Sequence, residues 1–402
     1  MCKVRLEGPW GRGLHPDKFI DSPPLKNSFL IPCGWEALLP RSDRDRDFIL
    51  AGVRDGFHIV DSLKFKPVET TNYSSATQAN IRPQVEAQIK VEIDEGRYRV
   101  TSQRPTIISA LGAIPKSNGG IRLIHDASRP SGAALNDYAV GDQRLRFQSL
   151  EDAVSLLSPG AYLSKVDLKS AYRSVRVHES NWQACGLQWT FSGAHSPTFL
   201  LDTALPFGSR FAPKIFHRLT QAVRRMMARR GFPNVVAYLD DFLIIESTYD
   251  RCLFAQRLLI TILRILGFSI AWDKVEGPTL SLTFLGVLID TNRACLELPP
   301  EKLAQFRTVI KESLSRKRLT LKQLQSLAGK LNWAAGVVRG GRTYLRRVLD
   351  AMRPLRAAHH KIVVSDTMRQ DLKWWDTFLE IFNGIRWFKP VSKWVNVYWM
   401  PL

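Results

Sequence analysis

The chain has 402 residues, with 57 Lys and Arg against 37 Asp and Glu, a formal net charge of +20. That length provides for two or three structural units, and 45% hydrophobic with 23% charged residues excludes wholesale disorder. The basic excess selects a polyanionic partner, nucleic acid before an acidic membrane surface, unless the charge serves only solubility.

Residues 1–80 are rich in Pro, Gly and charge and predict an irregular extension with short helices at most. Ile81, Val85, Ile89 and Ile93 recur every four residues before Gly96, which predicts one amphipathic helix with a glycine stop. Pro115 to Gly120 is a strong hairpin turn between two strands. Strands bearing acids are expected within 160–177 and 233–246, with a helix from Phe211 to Arg230 between them. A second helix follows from about Asp250 to Leu266, then further strands to Ile289. The alternation predicts an α+β fold, a sheet layered on helices. Beyond Leu298 the texture is helical. Pro300 suits a first helical position, and Leu303, Phe306 and Ile310 form one face. Thr320 with Gln323 reads as a capping box, followed by helical spacing up to Gly340-Gly341. Residues 301–360 hold 14 Lys and Arg against 3 acids, so more than half of the net charge falls in this stretch.

The five cysteines are odd in number and scattered, with no C-x-x-C or Cys/His cluster, so neither a disulfide framework nor a zinc site is expected. No signal-peptide core and no run of about 18 apolar residues is present. These features predict a soluble intracellular protein, cytoplasmic or nuclear, with no membrane partner.

The segment from Asn234 to Ile245 places Asp240 and Asp241 at the centre of an apolar, β-branched run. A hairpin bent at Leu239-Asp240-Asp241 accommodates them, yet no Gly or Asn supplies the positive φ such turns favour. Adjacent carboxylates beside buried strands repel and resist desolvation, and bound cations relieve both costs. A solvated loop tip is the plainer alternative. Asp167, at the end of the predicted strand from Ala161, is either an N-cap or the third ligand of a paired-metal site suited to phosphoryl transfer.

Tyr238-Leu239-Asp240-Asp241, Lys165 to Tyr172 and Leu205 to Pro213 together resemble reverse transcriptases, notably those of DIRS-type (tyrosine-recombinase) and gypsy-type retrotransposons. The resemblance implies a right-hand polymerase whose palm is an antiparallel sheet backed by helices. It divides the chain into an N-terminal extension (1–103), fingers and palm (104–290), a basic helical thumb (291–360) and a truncated connection segment (361–402). Asp167, Asp240 and Asp241 would surround two Mg²⁺ ions, which Mn²⁺ could replace. A primer 3′-hydroxyl on an RNA or DNA template would then attack a dNTP. Lys116 and Arg122 match fingertip residues that grip the triphosphate, and the backbone of Ser170 and Ala171 would face its phosphates. Tyr172 matches the steric gate against a 2′-hydroxyl, with Phe207 and Gly208 near the incoming base. Lys274 matches a proton donor to pyrophosphate, and Phe284, Leu285 and Gly286 match the primer grip, although a plain core strand would look similar. No ribonuclease H constellation follows, so template removal would fall to another retroelement protein. The competing expectation is a non-catalytic nucleic-acid-binding remnant that keeps the basic helices.

Overall fold

The computed structural model describes residues 29–60, 64–116, 119–139, 146–338, 340–382 and 385–388. The proline-rich stretches before residue 29, Cys2, Ser117-Asn118 and Trp399 to Leu402 lie outside them. Two compact units are distinguished: Met1–Ser149 with Lys165–Ile244 and Leu253–Val275, and Leu150–Ser164 with Ile245–Cys252 and Glu276–Leu402. Helices and sheets are mixed in both, as an α+β chain requires.

In the first unit, a five-stranded sheet runs in the order Val68–Glu69, Ile107–Ile108, Gly186–Trp189, Thr198–Asp202, Tyr98–Thr101. A separate hairpin pairs Leu111–Pro115 with Ile121–His125, and Lys116 closes its turn by donating its N–H to the Gly120 carbonyl at 2.7 Å. The helix predicted from the four-residue spacing forms over Arg82–Asp94. Its Val85 and Ile89 are buried against Tyr98, Leu111, Leu123, Leu187 and Leu200, with Ile81 and Ile93 flanking the contact. The stripe is apolar because it faces two strand systems at once.

The segment before this helix forms short helices, as expected, and is also anchored to the core. Short helices form over Pro32–Leu38 and Arg46–Asp55, and Trp35, Ile49, Phe57 and Ile59 are almost fully buried. Trp35 Nε1 donates to the Leu266 carbonyl at 3.1 Å, and the Ile31 N–H donates to the same oxygen at 3.0 Å. Apolar anchors spaced singly among prolines and charges leave no periodic stripe, which is why the sequence hides them.

The 17-residue helix Ala212–Ala228 buries Ile215, Phe216, Leu219, Val223, Met226 and Met227. It packs along the Val235–Tyr238 strand. Four arginine–carboxylate contacts tie it back to the N-terminal segment. Arg225 donates to Asp43 (2.7 and 2.8 Å) and Asp45 (2.9 Å), and Arg218 donates to Asp45 at 2.9 Å.

In the second unit, Ser281–Phe284, Val287–Asp290 and Cys295–Glu297 form an antiparallel meander that Arg386–Trp387 extends. The helix Pro300–Ser315 begins on its proline and buries Phe306 and Ile310. The capping box is present: Thr320 Oγ1 accepts from the Gln323 N–H at 3.2 Å, and Gln323 Oε1 accepts from the Thr320 N–H at 2.9 Å. The helix it opens stops at Ala334 rather than at Gly340-Gly341. Gly336 and the β-branched Val337-Val338 have weak helical preference, and both valines are buried in the turns that follow. Asp366–Phe382 forms the last long helix, packed on Pro300–Ser315. No described helix is long and apolar enough to cross a membrane.

Candidate active site

Tyr162–Asp167 lies beside Asp241–Glu246, which pairs antiparallel with Val235–Tyr238. Asp241 stands opposite Tyr238, so the hairpin loop is the two residues Leu239-Asp240. Leu239 supplies the positive φ, at 53°, without being Gly or Asn. A leucine in the left-handed region costs roughly 1–2 kcal/mol, and such strain persists only where the surrounding structure imposes it. Here the imposition is visible. The Asp240 carbonyl accepts from the Leu168 N–H at 3.1 Å, and the Ala237 N–H on the loop's near strand donates to Gln148 Oε1 at 2.8 Å. Asp167 therefore ends its strand at the tip of the aspartate hairpin, with no N-cap hydrogen bond on the turn that follows.

Three carboxylates now share one corner, and they carry the expected electrostatic burden. Burial raises the pKa of Asp240; its own backbone N–H opposes that, while the charge of Asp167 adds to it. Asp241 is held further above the ordinary carboxylate range, by burial first, then by a hydrogen bond with Asp167 and by the charges of Asp167 and Asp240. Lys274 Nζ donates to Asp167 Oδ1 at 3.1 Å. Partial burial alone would lower the Lys274 pKa, but that hydrogen bond and the three aspartate charges outweigh it and raise it. Among the described residues no three carboxylates, imidazoles or thiols form a ready-made metal cage. The Lys274 ammonium group holds Asp167 instead. The donor chemistry nevertheless fits a hard divalent cation: oxygens only, crowded like charges, and one replaceable amine.

Tyr172 sits on the short 3₁₀ turn Ala171–Ser174, directly after Asp167-Leu168-Lys169-Ser170. Its half-buried ring lies 5.5 Å from Phe207 and 5.3 Å from Phe216, centre to centre. Burial and the nearby Asp240 charge push its hydroxyl up to about 12, so it stays neutral. Ser170 takes a left-handed φ of 53°, and neither its N–H nor that of Ala171 has an acceptor among the described residues. Arg122 is exposed on its strand, its guanidinium 5.3 Å from the Phe207 ring, and its charge reaches Asp240. Lys116 is exposed at the tip of the same hairpin. Gly208 adopts φ 124°, backed against the His125 carbonyl, while the His125 N–H donates to the Phe207 carbonyl at 3.0 Å.

In the second unit, Leu285-Gly286 is a two-residue loop between Phe284 and Val287, both residues at positive φ (47° and 80°). Lys302 Nζ donates to the Gly286 carbonyl at 3.4 Å and stacks 4.3 Å from the Trp333 ring centre. The Phe284 side chain is fully buried, so any surface role falls to Leu285 and Gly286. Sequence reading missed Gln148, which braces the hairpin, and Arg173, Glu92 and Asp202, whose buried charges converge behind Tyr172. The signal was present: Arg173 alternates with Val175 and Val177, an inward position for a charge.

Residues 114–289 match the family described as reverse transcriptase (RNA-dependent DNA polymerase). Protein P of duck hepatitis B virus (strain China) is 27% identical over 154 residues, 38% of this chain and 18% of that protein. The Pol polyprotein of transposon opus from Drosophila melanogaster is 26% identical over 234 residues, 55% of this chain and 22% of the polyprotein. The Gag-Pro-Pol polyprotein of human T-cell leukemia virus 2 is 25% identical over 244 residues, 60% of this chain and 15% of that protein. The chain thus spans less than a quarter of the length of these relatives. Among solved structures, a foamy viral protease-reverse transcriptase in complex with double-stranded DNA superposes with a TM-score of 0.63 at 16% identity, covering 95% of this chain and 67% of that one. The foamy viral enzyme in complex with an RNA/DNA hybrid gives 0.63 at 17% identity, covering 90% and 48%. The fold is that of the right-hand polymerases, and residues 114–289 match the reverse transcriptase family.

Proposed function

We propose that the chain is an RNA-directed DNA polymerase that extends a primer 3′-hydroxyl with deoxynucleotides on an RNA or DNA template. One observation carries the reading: Asp167 and the Asp240-Asp241 hairpin, far apart in sequence, meet at one corner inside the matched region, at the cost of a strained leucine. Asp167, Asp240 and Asp241 are the residues that would hold divalent cations, Mg²⁺ by preference with Mn²⁺ as a substitute. Such ions, when bound, polarise the reacting phosphate and favour the ionised 3′-hydroxyl.

The chain's own groups supply the rest. Arg122 and Lys116, on one exposed hairpin, offer cations to a triphosphate. The unused N–H groups of Ser170 and Ala171 suit a phosphate oxygen, much as small residues in a backbone nest do. Tyr172, clamped between Phe207 and Phe216, places an apolar ring where a 2′-hydroxyl would collide, which is selection by clash. Lys274 is held protonated beside Asp167 and can deliver a proton to a leaving pyrophosphate. The basic helices from 301 to 360 hold duplex phosphates, and the Leu285-Gly286 turn contacts the primer. The retroviral and retrotransposon relatives support a retroelement origin, of DIRS or gypsy type on the motifs quoted above.

The test is primer extension by the full chain with Mg²⁺ or Mn²⁺, on RNA and DNA templates, beside Asp240→Asn. Incorporation of dNTPs that the substitution abolishes supports the proposal. Well-folded wild-type protein that binds primer–template but incorporates nothing with either metal would instead establish the non-catalytic binding remnant.

A further inference from the structure

The residue next to Tyr172 is an arginine turned into the protein. Arg173 is 6% exposed, and its guanidinium is saturated. Nε and Nη2 donate to Glu92 Oε2 at 3.0 and 2.9 Å, and Nη1 donates to Asp202 at 2.9 Å and toward the Leu205 carbonyl at 3.3 Å. Tyr98 lies beneath it, 5.3 Å from the guanidinium carbon to the ring centre. Glu92 is shared with Arg97, whose Nε donates at 2.6 Å. Three separate segments thus converge on one side chain: the helix Arg82–Asp94, the strand Thr198–Asp202 and the turn that carries Tyr172. Glu92 lies before the residues that match the family.

Buried ion pairs are poor sources of net stability, because desolvation consumes most of the Coulombic gain, but they are exacting about position. A four-residue 3₁₀ turn has weak hydrogen-bond geometry and little rigidity of its own. Its local bonds among the described residues are three: the Arg173 N–H to the Ser170 carbonyl at 2.9 Å, Ser174 Oγ to the Ala171 carbonyl at 2.6 Å and the Val175 N–H to the Tyr172 carbonyl at 3.1 Å. Phe207 and Phe216 flank the ring, and the buried arginine one residue away anchors the backbone from which the ring projects.

We propose that the Glu92–Arg173–Asp202 bridge sets the position of the Tyr172 ring and with it the selectivity for deoxyribonucleotides over ribonucleotides. Arg173 and Glu92 are positioning residues, not catalytic ones. The inference rests on Tyr172 acting as the sugar gate of the proposed polymerase. Its readout separates positioning from mere folding: a structural defect lowers the active fraction and reduces both incorporation rates equally, leaving their ratio unchanged.

The experiment measures single-nucleotide kcat/KM for a dNTP and the matching rNTP with the full chain on one primer–template. Glu92→Ala removes the shared carboxylate, and Arg173→Lys keeps the charge but cannot bridge both acids with a planar fork. Each is expected to lower the dNTP/rNTP ratio by about tenfold, given how steeply rates depend on sub-ångström placement. Glu92→Gln, which keeps the shape and an acceptor, should lose less. On a Tyr172→Ala background, which itself collapses the ratio, Glu92→Ala should change it no further. If Glu92→Ala fails to fold, Arg173→Lys carries the test. A wild-type ratio in Arg173→Lys, with Tyr172→Ala collapsing it, overturns the positioning role alone. An unchanged ratio in Tyr172→Ala overturns the gate and this inference with it, and absent wild-type incorporation overturns the polymerase reading.

Discussion

Replacing Gly208 with alanine tests the proposed nucleotide pocket through a single methyl group. Its φ of 124° lies where side-chain-bearing residues are strained, and an added Cβ would stand well inside 3.0 Å of the His125 carbonyl oxygen. That oxygen belongs to a paired backbone strand, so it cannot swing aside as a flexible side chain would. Merely relieving the clash requires a retreat of about 1 Å, a displacement that at a reacting centre can cost about 10²-fold in rate. The retreat also breaks the 3.0 Å bond from the His125 N–H to the Phe207 carbonyl, which links hairpin to pocket. Strain and the lost bond together amount to roughly 2–4 kcal/mol. For a unit of this size that corresponds to a fall in Tm of about 4–16 °C. Differential scanning fluorimetry and dNTP titration in primer extension measure both effects. An alanine variant with wild-type Tm and wild-type kcat/KM would refute the close approach and the placement of Phe207-Gly208 beside the nucleotide.

Further expectations concern the framework. Burial alone would raise the pKa of Glu92, but the charges of Arg173 and Arg97 and their hydrogen bonds hold it below its ordinary 4.5. A depressed carboxylate stabilises fully above its unfolded pKa and loses that contribution as pH falls through the lower folded value, so Tm should be flat near neutrality and drop below about pH 4.5. Glu92→Gln should flatten that acid limb in a Tm–pH series, and parallel curves would exclude the carboxylate. Trp35→Ala should cost about 3–5 kcal/mol in urea unfolding, since the ring is fully buried. No loss would mean that the N-terminal segment is not part of the first unit's core. Thr320→Ala removes a capping box and should cost about 1 kcal/mol, with faster amide exchange at Gln323. Unchanged exchange there would show that the cap is ornamental.

The parts legible in the sequence are those where local chemistry and tertiary environment agree. The Arg82–Asp94 helix announces itself because Val85, Ile89 and Ile93 fall on one side in step with Ile81 just before it, and the Thr320 cap because its donor and acceptor are three residues apart. Asp240 and Asp241 stand out because acids inside an apolar run are costly wherever they end up. Leu239 could not be anticipated: leucine is chemically wrong for φ 53°, and hydrogen bonds with Leu168 and Gln148, distant in sequence, help hold its neighbours in place. Lys274 shows the same limit. Its sequence neighbours say nothing of Asp167, and its protonation is decided by carboxylates that the fold delivers. Arg173 was readable only as an anomaly, a charge at an inward position, with no local clue to Glu92 or Asp202.

The chain passes from one compact unit to the other at residues 149–150, 164–165, 244–245, 252–253 and 275–276. Neither unit is therefore a continuous stretch of polypeptide. During synthesis on a ribosome, the first unit lacks its last segment until residue 275 has emerged, while the second already has two short pieces waiting for residues beyond 276. An expression fragment that begins at 276 would leave behind Leu150–Ser164 and Ile245–Cys252, which belong to the unit it is meant to isolate. Deletion mapping by simple end-trimming thus confounds loss of an activity with loss of a neighbour's scaffold. Point substitutions, or circularly permuted chains that keep every segment, are the appropriate tools for assigning function to either half.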